Sequence, residues 1–156
     1  MSKIFSYYET KDDGSGVEHV WYESSNIKYT ECIDEPNKLK TLKVVFTTGT
    51  QYQYNDVPVD QYLVFREDAS QGKALNRLIK GGKYEYSKLE NVDIGELDDE
   101  LMFRSGNGFF IANDEEAFKI KDCKDNVVYQ TEHLDDKNFE MVENILKSVG
   151  IIVKKI

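Results

Sequence analysis

Proline, cysteine, tryptophan and histidine are scarce in this chain, with two, two, one and two among 156 residues. The cysteines, Cys32 and Cys123, are far apart and sit in no C-x-x-C spacing, so neither a zinc site nor a disulfide framework is expected and both read as reduced thiols. The histidines, His19 and His133, are isolated. No H-E-x-x-H, G-x-S-x-G or phosphate-loop spacing occurs, so the sequence offers no catalytic site, no metal site and no cofactor motif, and no enzyme activity is expected. No apolar run approaches the length of a bilayer crossing, and the N-terminus lacks a signal-peptide apolar core. The expectation is a soluble, cytoplasmic protein with no membrane partner. There is no internal repeat and no low-complexity tract.

Apolar residues are not scarce. They make up 40% of the chain, with ten tyrosines and eight phenylalanines, which is enough to build a core in one ordinary domain or two small ones. Lysine outnumbers arginine 17 to 3, a usage that accompanies AT-rich genomes, many phage genomes among them. The formal charge of −9 is unevenly spread: −2 over residues 1–22, +1 over 23–89 and −8 over 90–156. Acidity of that kind repels phosphate, so any nucleic-acid surface belongs in the middle of the chain.

Two aromatic-rich runs, 4–9 and 17–23, flank a Gly/Asp cluster and predict a β-hairpin. A strand is expected over 26–33, a turn at Asp34-Glu35-Pro36-Asn37, and a hairpin pairing 42–47 with 51–54 around Gly49. The period then becomes helical. Pro58 starts one helix, whose inner face is Val59, Tyr62 and Leu63. Ser70 caps a second, with Ala74, Leu75, Leu78 and Ile79 inward and Gly81-Gly82 as its stop. Tyr84-Glu85-Tyr86 is extended. The acidic run from Asp93 to Glu100 reads as a solvated linker. Beyond it, strands are expected at 101–103, 109–112, 117–123 and 127–130. A helix capped by Asp136 follows, with Phe139, Val142, Ile145, Leu146 and Val149 on one side, and a last strand at 151–153 closes the chain.

The fold class is therefore α+β: an N-terminal antiparallel sheet with two short helices, then a small β-rich unit with one C-terminal helix. The division is a hairpin extension at 1–23, a domain at 24–89, an acidic linker at 90–100 and an acidic α+β domain at 101–156.

Ser24-Ser25-Asn26-Ile27, then Leu42-x-Val44-x-Phe46, Gly49-x-x-Tyr52-x-Tyr54, Val57-Pro58 with Tyr62, and Ala69-Ser70-x-Gly72-Lys73 with Asn76 and Ile79-Lys80 follow one another over more than sixty residues. In that order they resemble the KTSC domain family, a small module found at the C-terminus of some lysyl-tRNA synthetases and also as a stand-alone protein. The resemblance implies a recognition module, with RNA binding as the usual suggestion for the family. Two departures stand out within the domain: the segment between Ile27 and Leu42 is longer than usual, and Ala74-Leu75 replace an aromatic residue.

The residues that could bind are of two kinds. Lys73, Arg77 and Lys80 are spaced to share one helix face, with Lys83 following. Tyr52, Tyr54, Tyr84 and Tyr86 supply flat rings on neighbouring extended segments. Cations for phosphate beside rings for stacking are what single-stranded nucleic acid or a nucleotide requires. The competing bland reading is a solvated basic face and tyrosines that are half core, half surface. The first functional expectation is a non-enzymatic binding protein whose ligand is RNA, single-stranded DNA or a nucleotide. The alternative is a phage-type inhibitor or adaptor that binds a host protein through the acidic C-terminal unit, in the extreme as a nucleic-acid mimic. Exposed strand edges in such a fold also admit a homodimer.

Overall fold

Aromatic and β-branched residues alternate with polar ones through the first half of the chain, and each such stretch is a strand. The computed structural model describes residues 3–80 and 84–156. In it the strands are β1 (Lys3–Thr10), β2 (Gly16–Tyr22), β3 (Ile27–Asp34), β4 (Lys40–Phe46), β5 (Gln51–Val57) and β6 (Tyr86–Leu89). They form one antiparallel sheet in sequence order. The β4–β5 turn needs glycine. Gly49 has φ +92°, and a Cβ there would lie 2.6 Å from the Val92 carbonyl oxygen, so the missing side chain lets the chain beyond β6 close over the turn.

Two helices connect β5 to β6. Helix α1 (Val59–Glu67) begins after Pro58, which stands at the N-cap with extended backbone (φ −61°, ψ 144°). Helix α2 (Gln71–Ala74) is capped by the Ser70 hydroxyl, which accepts the Lys73 N–H, and it continues as wider π-type turns over Leu75–Ile79. The expected helix stop at Gly81-Gly82 lies outside the described residues.

Strand alternation gives the sheet two different faces. Val20, Tyr22, Cys32, Leu42, Val44 and Tyr54 pack against Tyr62, Phe65, Ala74, Leu75 and Ile79 of the helices, forming the main core. On the opposite face Phe5, Tyr7, Trp21 and Tyr29 form an aromatic layer. Trp21 lies 5.9 Å from Phe5 and 4.7 Å from Tyr29, and His19 stacks on Tyr7 at 4.5 Å. The Trp21 indole donates to the Leu97 carbonyl at 3.0 Å. His19, isolated in sequence, is thus a buried member of this layer. Because both faces are covered, β2 is buried at nearly every position.

The chain divides into two compact units, Met1–Leu97 and Asp98–Ile156. The acidic run read as a linker is largely helical: α3 (Ile94–Met102) runs on into π-type turns over Phe103–Asn107. This also corrects the strand expected at 101–103. Phe103 is fully buried, and its ring lies 5.0 Å from that of Phe110. Three apolar residues in a row carry no period, and length alone could not distinguish a strand from the end of a helix.

In the second unit β7 (Gly108–Asn113), β8 (Phe118–Asp122), β9 (Val127–Thr131) and β10 (Ile152–Lys155) make a sheet of order β10-β7-β8-β9, with β10 parallel to β7. Helix α4 (Asp136–Ser148) is capped by Asp135, one residue before the expected cap. It covers one face through Phe139, whose ring meets Phe118 at 5.9 Å. Phe103 packs on Phe110, on the opposite face. Ile145 and Val149, expected on the inner side of α4, are instead 56% and 68% exposed. Glu143 takes an inner position, bound by Lys147 and Lys155. The apolar face of α4 is wider than the contact it makes.

Candidate functional site

Tyr52 and Tyr54 are two apart on β5, so their side chains leave the same face of the sheet, the face carrying the helices. Antiparallel pairing sets Tyr86 of β6 opposite Tyr54 and Lys88 opposite Tyr52. Tyr84, just before β6, packs against the main core. Ile79 and Lys80 end the helical segment above. These six residues, Tyr52, Tyr54, Ile79, Lys80, Tyr84 and Tyr86, line one cavity of about 310 Å³.

The cavity is graded from dry to wet. Tyr54 at its floor is 3% exposed, and Tyr86 at its rim is 64% exposed. The Tyr86 ring lies 5.9 Å from Tyr54 and 6.3 Å from Tyr52, tilted by 33° and 57°. Phe46 meets Tyr52 edge-on at 6.0 Å, and the Lys80 ammonium sits 5.6 Å from the centre of the Phe46 ring. Burial first, then the neighbouring Tyr52 and Tyr86, push the Tyr54 phenol above its ordinary range, so it stays protonated at neutral pH.

Five of the eight residues singled out in sequence therefore converge. Lys73 and Arg77 are exposed on the outer surface of the helix and do not line the cavity. Arg77 is engaged with Asp68 at 2.9 Å. The π-type turns are the reason the three cations part company. A wider turn has more residues than 3.6, so the spacing that aligns Lys73, Arg77 and Lys80 on an α-helix no longer does. Lys83 lies outside the described residues. Ile79 and the Phe46 support were missed as site residues, because a core residue and a strand-end aromatic give no local signal of the cavity they help to form.

Two further polar clusters among the described residues of the first unit are ion-paired and hydrogen-bonded internally. Glu18 accepts from the Tyr62 hydroxyl and, through its two oxygens at 3.0 and 2.8 Å, from one Nη of Arg66, whose Nε meets Glu67 at 2.7 Å. Asp34 gathers the Tyr8 hydroxyl, the Gly16 N–H and Lys40, and Lys40 leads the effects that hold its carboxyl below the usual range. Among the described residues no three metal-ligating side chains converge, and no helix is long and apolar enough to cross a membrane.

Both cysteines are free. Burial pushes the Cys32 thiol up to about 12, so it stays protonated and shielded at pH 8. Titrating the native protein with a thiol-specific chromogenic reagent should therefore modify no more than one thiol promptly, and both after denaturation. Two equally fast native thiols would contradict this assignment.

A six-stranded antiparallel sheet with helices over one face, and a tyrosine-lined cavity between helix end and sheet edge, defines a small α+β module built around a pocket. Residues 23–86 match the KTSC domain, so the middle of this chain is a KTSC domain. A solved KTSC domain protein from Yersinia pestis is similar over 47% of this chain and 99% of that one, with 26% identity and a TM-score of 0.41. No curated protein matches.

Proposed function

We propose that the protein is a non-enzymatic binding protein whose KTSC domain takes RNA, single-stranded DNA or a nucleotide in the tyrosine cavity. The observation that carries this reading is the convergence of four tyrosines and Lys80 on one cavity. Ring faces supply stacking to any base, and a lysine at the mouth supplies the charge a phosphate needs. The region is also the near-neutral part of an acidic chain. A cytoplasmic location belongs to the same reading, supported by the two free cysteines.

The rival reading, a phage-type inhibitor that presents the acidic second unit to a host protein, has less support. Several acids of that unit have local roles. The Asp114 carboxylate accepts the backbone N–H groups of Glu116 and Ala117, Asp122 closes the β8–β9 turn, and Asp135 caps α4. Glu100 is held by Lys154 and Arg104. These are carboxylates spent on turns, caps and ion pairs rather than a phosphate-like stripe.

The test is a fluorescence anisotropy titration of labelled single-stranded RNA and DNA against the 156-residue chain at several salt concentrations. Affinity should fall with salt, and Lys80→Glu should weaken binding by about tenfold or more and reduce the salt slope by about one. No binding to either strand at low salt would overturn the reading.

A further inference from the structure

We propose that the tyrosine cavity is a pocket for one unstacked nucleotide, whose base edge is read by the Tyr54 hydroxyl, rather than a groove along which successive bases stack. The inference rests on the nucleic-acid reading above and narrows it.

The size of the cavity is the first reason. About 310 Å³ is at the lower end of the range of small-molecule pockets, roughly 300–1,000 Å³. That suits one base with its sugar, not a run of bases.

Ring geometry is the second. A base slipped between two rings needs them parallel and about 7 Å apart, two van der Waals separations. Tyr52 and Tyr86 are 6.3 Å apart and tilted by 57°, and Tyr54 and Tyr86 are 5.9 Å apart and tilted by 33°. Such rings cannot sandwich bases in series. They wall a single space, with exposed Tyr86 as the platform at its mouth.

The third reason is the floor. Tyr54 is 3% exposed, yet among the described residues its hydroxyl has no hydrogen-bond partner. Here the hydroxyl lines the cavity, where a group entering from outside can meet it. Because the phenol stays protonated, it can donate to a base nitrogen or carbonyl oxygen, and its lone pairs can accept from an exocyclic amine. Hydrocarbon ligands have no use for that position. A nucleobase, flat on its faces and polar at its edge, uses both the rings and the hydroxyl.

Charge is the fourth. Lys80 is the one cation among the described lining residues, which matches one phosphate. Lys73 lies seven residues back along the helical segment and does not line the cavity.

The experiment is a calorimetric titration of the 156-residue chain with each of the four ribonucleoside 5′-monophosphates, and with a single-stranded tetranucleotide. The same titrations are made on Tyr54→Phe, which removes only the hydroxyl. We expect at least one monophosphate to bind and to displace the tetranucleotide, and Tyr54→Phe to weaken both by about three- to tenfold. The melting temperature should not fall, since no protein partner among the described residues is lost. If the tetranucleotide binds but no monophosphate competes, and Tyr54→Phe binds it like the parent, the single-nucleotide inference is wrong and the broader reading survives. A marked fall in melting temperature would also overturn it, by showing that the hydroxyl has a structural role. If neither probe binds, the broader reading falls and takes this one with it.

Discussion

Glu18→Ala is expected to cost the first unit about 3 kcal/mol of stability, because one carboxylate serves two buried or half-buried partners. Its oxygens accept from one Nη of the Arg66 guanidinium and from the hydroxyl of Tyr62. The side chains of Glu18 and Arg66 are 23% and 20% exposed, and Tyr62 is 3% exposed. Alanine leaves the guanidinium with only the more exposed Glu67, 2.7 Å from its Nε, and a buried phenol without an acceptor. The asymmetry is the informative part: stranding a partner costs more than removing the whole arrangement. Chemical denaturation followed by far-UV circular dichroism should therefore show Glu18→Leu with Arg66→Met and Tyr62→Phe to be less damaging than Glu18→Ala alone. A single variant within about 0.5 kcal/mol of the parent would show that solvent already screens this site.

In the second unit the largest effect is expected at Phe103. Its ring is fully buried and packs edge-on against Phe110 at 5.0 Å. The Lys154 ammonium lies 4.3 Å from its centre and the Arg104 guanidinium 5.4 Å. Gly108 has no side chain at the point of contact, where a Cβ would come within 2.1 Å of the ring. Phe103→Ala should destabilise the unit by about 3–5 kcal/mol, from lost burial and from a cavity that the sheet cannot collapse to fill. Phe103→Leu, keeping most of the volume, should recover more than half of that. Thermal melts that place the alanine variant within about 2 °C of the parent would contradict the role assigned to the ring.

Two-residue alternation made the strands of the first sheet legible before any fold was known, as Leu42, Val44 and Phe46 against Tyr52 and Tyr54 illustrate. The starts of the helices after β5 were equally clear, since Pro58 and Ser70 mark them by local chemistry. Val59 and Leu63, expected on the inner face of the first, are 45% and 40% exposed, and Phe65 is buried beside Tyr62 instead. The second unit was harder. Its hairpin and its C-terminal helix were readable, but Phe103 and the outward-facing Ile145 and Val149 were not. An apolar residue does not announce whether a partner covers it.

The candidate site divides in the same way. Tyr52 and Tyr54 share a face because of their spacing, and that much is local. Tyr86 comes opposite Tyr54 only because β6 returns to β5 after two helices. Lys80 reaches the cavity, and Lys73 does not, because the helix widens between them. The KTSC domain, the α+β class and the concentration of acid in the last third were thus set by the amino-acid sequence, because motif order, residue period and charge are properties of the chain itself. The cavity, the burial of Tyr54 at its floor and the aromatic layer on the back of the sheet were decided by tertiary structure alone. Each depends on residues far apart in the chain meeting face to face, and local periodicity carries no record of which face meets which.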